Sequence, residues 1–151
     1  MSEPTRAPVL MDVKFVAGLA ALIASAAIVL NVTRGDVDRG RAVFSGLVYG
    51  RQNVQRDIEW EHLRGLDVDV GQAYRALPSD KERTGYRRAF VENFAKGFAI
   101  AHAKVSDFVN WRIAQRSPET VSVAADYRGK GRTLLVMLNA STKHLVSLQW
   151  Q

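Results

Sequence analysis

From Phe15 to Leu30 the chain reads FVAGLAALIASAAIVL, and no charged residue interrupts it. Asn31, Val32 and Thr33 carry the uncharged stretch on to Arg34. A helix over residues 15–33 rises about 28 Å, close to the roughly 30 Å hydrocarbon core of a bilayer. Few soluble folds accommodate such a run, since a core helix is usually shorter or carries a polar stripe. Lys14 and Arg34 bracket it, placed for their side chains to reach the headgroups. Leu19, Leu22, Ile23, Ile28, Val29 and Leu30 supply most of the insertion energy, the many alanines little. The sequence therefore predicts an N-terminal tail (1–14), a single transmembrane helix (15–33) and a soluble domain (34–151).

A cleaved signal peptide competes with an anchor, because Ala24-Ser25-Ala26 fits the small-x-small cleavage pattern. Cleavage there would leave Ala27-Ile28-Val29-Leu30 as an apolar mature terminus, which favours the uncleaved helix. Ala17, Ala21 and Ser25 recur every fourth residue, a spacing that lets two membrane helices approach closely; they form a candidate dimer face. Arg34, Arg39, Arg41 and Arg51 follow the run, against Arg6 and Lys14 before it. That count favours a cytoplasmic domain. A short tail before one uncleaved helix more commonly acts as a signal-anchor, so the expected location of the domain is the exported side.

The remaining residues suffice for one domain and its core. Helical spacing of Val43, Leu47, Val54 and Ile58, widened by Phe44, predicts a helix over about 38–64. Arg34-Gly35-Asp36 reads as the turn before it, with Asp36 or Asp38 as N-cap, and Gly65 as its end. Gly46 and Gly50 weaken it or allow another element to approach. Leu66 to Leu77 reads as a linker and a helical turn ending before Pro78. Ser79 and Glu82 then form a capping box that opens the clearest helix of the chain. Phe90, Val91, Phe94, Phe98, Ala101, Val105 and Phe108 fall on one arc of it and predict the main core helix. After Pro118 the period changes to two: Thr120–Tyr127, Thr133–Leu138 and His144–Trp150 read as strands joined by Arg128–Gly131 and Asn139–Thr142 turns. Val109 to Ala114 is either helix tail or a further strand. The fold class is α+β, two or three helices packed on a C-terminal antiparallel β-meander.

Several chemistries are excluded or unsupported. Without cysteine there is no disulfide scaffold, thiolate metal site or thiol catalysis. His62, His102 and His144 fall in three different elements with no metal-ligand spacing. Asp36-Val37-Asp38 and Asp67-Val68-Asp69 are short enough to arise by chance, and the first is explained by N-capping. No serine stands in a nucleophile elbow, and Gly129-Lys130-Gly131 is a hairpin turn rather than a phosphate loop. Neither a cofactor nor a metal is expected.

The net charge of +6 lies on residues 34–151, yet it forms no single stripe. Arg83 and Arg87 are exceptions in position, because they extend the apolar arc of their helix and need an acid such as Asp80 or a partner surface. With Tyr49, Trp60, Trp111 and Trp150 they are the candidate contact residues, arginine and large aromatics being the types that dominate binding hot spots. Core packing is the competing role for the tryptophans.

The helices-then-hairpins layout resembles the cone-shaped α+β domains of the nuclear-transport-factor-2-like type over about residues 40–151. The resemblance is architectural, carries no motif residue across, and implies a cone between helix and sheet without implying an activity. The expected function is a single-pass membrane-anchored interaction or assembly subunit, a scaffold or adaptor, that acts by protein–protein binding and not as an enzyme. Its partners are the lipid bilayer and either another protein or a second copy. The alternative is a tethered cone that binds or hydrolyses a small apolar ligand, which would need convergent polar groups such as His102 beside an acid. A third reading is binding of anionic lipid or nucleic acid through the basic residues, with nucleic acid the less expected partner.

Overall fold

The computed structural model describes residues 13–151, with side chains from Ala21 onward except Leu22. The expected tail lies outside them as far as residue 12, and so does the Ala17 side chain of the small-residue face. The chain divides into two units, with the boundary between Thr33 and Arg34.

One helix, α1 (Val13–Val48), runs through both units. In the first, Ile23, Ile28, Val29 and Leu30 are each more than 60% exposed. At about 100° per residue these positions are spread around the helix, so no single apolar face is formed. Among the described residues no helix is long and apolar enough to cross a membrane. The expected span begins at Phe15, ahead of the described side chains.

In the second unit, Asp36, Gly40, Val43, Phe44 and Leu47 of α1 are buried, a stripe at helical spacing. The expected Arg34-Gly35-Asp36 turn is absent: α1 continues through it, and Asp36 is a buried mid-helix residue rather than an N-cap. Gly40 faces Val123 and Gly46 faces Val54 so closely that a Cβ at either would crowd the valine at about 3 Å. Those glycines let α1 lie near its neighbours. The helix ends at Val48 rather than near Gly65, because Gly50 adopts φ +65° and Arg51 N–H donates to the Gly46 carbonyl. Val54 and Ile58 are buried as expected, but on a 3-10 turn (Gln52–Asp57) and an isolated bridge to Leu145.

Next come two short strands, β1 (Arg64–Gly65) and β2 (Val68–Asp69), and helix α2 (Val70–Arg75), N-capped by Asp69. Helix α3 (Asp80–Ile100) starts at the predicted capping box: Ser79 Oγ accepts from Glu82 N–H and donates to the Glu82 carboxylate. It stops before Val105 and Phe108, which instead lie on a 3-10 turn and at the start of β3. Only Val91 and Phe98 of α3 are buried, so the end of α1 is at least as much a core helix as α3.

Four strands form an antiparallel meander: β3 (Phe108–Arg116), β4 (Thr120–Tyr127), β5 (Arg132–Asn139) and β6 (Leu145–Trp150). The six-stranded sheet has the order β2-β1-β6-β5-β4-β3, and β1 joins β6 in parallel. Cross-strand pairs Val123–Val136 and Val136–Leu148 put three apolar residues on the face that the helices cover. The protein is α+β, with helices packed on this sheet.

A charged cluster joins α1 to the far ends of the strands. Asp36 is 4% exposed and lies 2.7 Å from Arg116 Nη1 and 3.0 Å from Lys143 Nζ. The Arg116 contact is an ion pair without hydrogen-bond alignment, since Asp36 Oδ2 has no bonded donor. Arg39 donates to Asp57 at 2.7 Å and to the Lys143 carbonyl at 3.3 Å.

Candidate functional site

The second half of α3 stands over the sheet beside a hollow of about 310 Å³. Its origin is local. Gly97 and Ala101 are too small to fill the space, and Phe94 is only half-buried. Phe98 supplies one wall and Leu66, from the β1–β2 turn, another. The sheet side is Tyr127 and Trp150, whose rings stack 5.9 Å apart. Phe108 extends the stack under Tyr127 at 4.7 Å and 8°. The Arg132 guanidinium lies over the Trp150 ring, 5.0 Å from its centroid. The hollow thus has aromatic walls.

Among its lining residues only Asn93, Tyr127 and Trp150 carry a polar side-chain group. No carboxylate, histidine or serine lines it. His102 is exposed just past the end of α3, at φ +52°, and is not among the lining residues. Such a lining can hold apolar groups by desolvation and ring contact.

Across α3 a second concavity, of about 360 Å³, is bounded by Val48, Tyr49, Ala99, Ala103 and Lys104. Phe98 contributes to both hollows. A third, more polar one, of about 340 Å³, contains Asp67, Asp69, Arg64 and Gln149. There Asp69 is already engaged as the cap of α2 and lies 3.9 Å from Arg64. Among the described residues no group of three or more His, Asp or Glu side chains is placed to hold a metal.

The six contact candidates fall at different places. Tyr49 is 61% exposed with Arg51 over its ring, and Trp150 is half-buried in the aromatic wall. Trp60 is buried against Tyr74 and Phe90, and its indole N–H donates to the Gln55 carbonyl. Trp111 is half-buried against Phe44 and donates to the Phe108 carbonyl. Arg83 and Arg87 converge on Tyr74: one lies 5.7 Å from the ring centroid, the other donates to the hydroxyl at 3.3 Å. Asp80 pairs with neither. Of the candidate dimer face, Ala21 and Ser25 are exposed, and Ser25 Oγ donates to the Ala21 carbonyl.

The sequence reading missed Phe94, Gly97, Ala101 and Tyr127 as lining residues, because it assigned Phe94 and Ala101 to a core arc, gave Gly97 no role and took Tyr127 only as part of its strand. The available signal was the pair of small residues, Gly97 and Ala101, interleaved with Phe94 and Phe98. Elsewhere on the surface, Arg88 pairs with Glu92 at 3.3 Å and Arg112 with Asp126 at 3.0 Å. Hydrogen bonds from Asn110 and Arg112 hold the Asp126 carboxyl below its ordinary pKa of 3.8. Burial raises the Tyr86 hydroxyl above its ordinary 10.0. No protein-family model, no curated protein and no solved structure matches this chain.

Proposed function

We propose that the protein is a single-pass membrane-anchored interaction subunit, and that the aromatic hollow beside α3 receives apolar side chains of a protein partner. The observation that carries the reading is the half-exposed Phe94–Trp150 lining with almost no polar group in it. A volume near 310 Å³ lies at the small end of ligand pockets and suits one or two large side chains. The reading as a binding site rests on this apolar, aromatic lining, which holds apolar groups by desolvation and ring contact. The anchor is supported by the uncharged run over 15–33 and by apolar side chains exposed on every side of its described part, an arrangement suited to lipid. We place the domain on the exported side.

A small apolar ligand in the same hollow is the second reading, favoured by its aromatic walls. One experiment separates the two. A photo-crosslinking amino acid is placed at Ala101 in the full chain and irradiated in native membranes. The expected product is a discrete protein adduct that is absent when the probe sits at Glu92, on the ion-paired side of α3. An adduct only to a small molecule or lipid would replace the protein-binding reading by the second one.

A further inference from the structure

Four basic residues of the described set are half-buried: Arg39, Arg83, Arg87 and Lys143. Arg39 pairs with Asp57, and Lys143 pairs with Asp36. Arg83 and Arg87 make no ion pair among the described residues. They lie four residues apart on α3, so their side chains leave the same face of the helix. Both turn to Tyr74: Arg83 stands over the ring and Arg87 donates to the hydroxyl, with a second bond to Thr84 Oγ1 at 3.2 Å. The Nε of each is buried and without an acceptor.

Two like charges are thus partly desolvated around one tyrosine, with unused donors and no carboxylate. Removing a guanidinium from water is unfavourable unless an anion or full hydrogen bonding compensates it. The other enclosed cations obey that rule within the chain. We propose that Arg83, Arg87 and the Tyr74 hydroxyl form an oxyanion site that takes a phosphate group. Guanidinium groups supply paired N–H donors in a planar fork that matches phosphate oxygens, and two of them match its double negative charge. Tyr74 is held for this role by packing on Trp60 and Tyr86, with ring centroids 5.9 and 6.1 Å away. The same chemistry is offered by a free phosphate and by the phosphate of a lipid headgroup. The site depends neither on the anchor nor on the apolar hollow, which involves the other end of α3.

The test uses the full chain in neutral detergent, with sodium chloride replaced by sodium phosphate at equal ionic strength. Saturating phosphate, ten times its Kd, should raise Tm by about 3–6 °C, and the phosphorus resonance of inorganic phosphate should broaden on adding protein. Both effects should vanish in R83Q/R87Q, persist in R88Q, whose parent residue is exposed and paired with Glu92, and return in part in R83K. Micelles doped with a short-chain phosphatidic acid provide the headgroup arm. A shift from the doped micelles but not from inorganic phosphate assigns the site to lipid, and the reverse assigns it to a soluble phosphate. No shift of the wild type in either arm overturns the proposal. So does a response equal in R83Q/R87Q, or one matched by acetate.

Discussion

Asp36 is the one charged side chain buried among the described residues, and its two partners come from positions 116 and 143. Removing the acid leaves Arg116 and Lys143 facing each other without an anion. For a fully buried pair such a loss costs about 3–5 kcal/mol. Here both partners are 37% exposed and rehydrate in part, so Asp36→Asn should cost about 2–3 kcal/mol, read as a lower urea midpoint at unchanged m. Asp126 makes a different prediction. Its carboxylate accepts from Asn110 at 3.1 Å, Arg112 at 3.0 Å and Thr133 at 3.2 Å, so its native pKa falls below 3.8. A depressed acid stabilises the native state above its unfolded pKa, and that contribution fades as pH falls through the native value. Wild type should therefore lose its advantage over D126N progressively below pH 3.8, in urea titrations at stepped pH. Neither role was legible in the sequence. Asp36 read as a helix cap because its neighbours Gly35 and Asp38 suggest a turn, while the burial comes from strands some eighty residues later.

Elements were legible where their signals are local. Ser79 and Glu82 announced the start of α3, alternation marked β4, an apolar run marked β5, and the turns between them set off β6. Ser79→Ala removes the acceptor for Glu82 N–H and the bond to its carboxylate, and should cost about 1 kcal/mol in thermal unfolding. Helix ends were harder to read. Val54 and Ile58 continue the period of Val43 and Leu47, so periodicity alone carries a helix past Val48. What stops it is the left-handed Gly50, a single-residue property that competes poorly with a four-residue pattern. Likewise α3 ends at Ile100, with Ala101 as cap and His102 at positive φ, whereas Val105 and Phe108 keep their burial in other elements. An apolar arc predicts what is buried better than it predicts the backbone that buries it. The alternation of Leu66 to Val70 is too short to mark a strand, and the two-residue β1 and β2 exist through pairing with β6 and with each other.

At the scale of the molecule, the α+β class followed from element order, whereas the hollow did not, because it is a gap between α3 and the sheet. The proposed anchor makes one demand. Ile23 and Ile28 are 62% and 65% exposed, so arginines there disturb little packing in the described structure. A charge near the centre of the 15–33 span, as at Ile23, adds about 2.5–3.5 kcal/mol to insertion. I23R/I28R should therefore move the protein from the alkali-resistant membrane pellet to the supernatant, whereas a soluble wild type would sink the anchor reading. The hollow makes the other demand, at Gly97. A Cβ built there meets nothing within 4 Å, and the residue is exposed in the interior of α3. Replacing a helical glycine by leucine gains about 0.5–1 kcal/mol of helix preference. The new side chain projects from a lining position into space that the proposed partner would fill. Gly97→Leu should therefore hold or raise Tm while abolishing the Ala101 crosslink, two effects of opposite sign that a merely structural role for the hollow cannot produce. If the crosslink survives in a folded G97L protein, the partner contacts Ala101 from outside the hollow. The aromatic walls are then ordinary core edge.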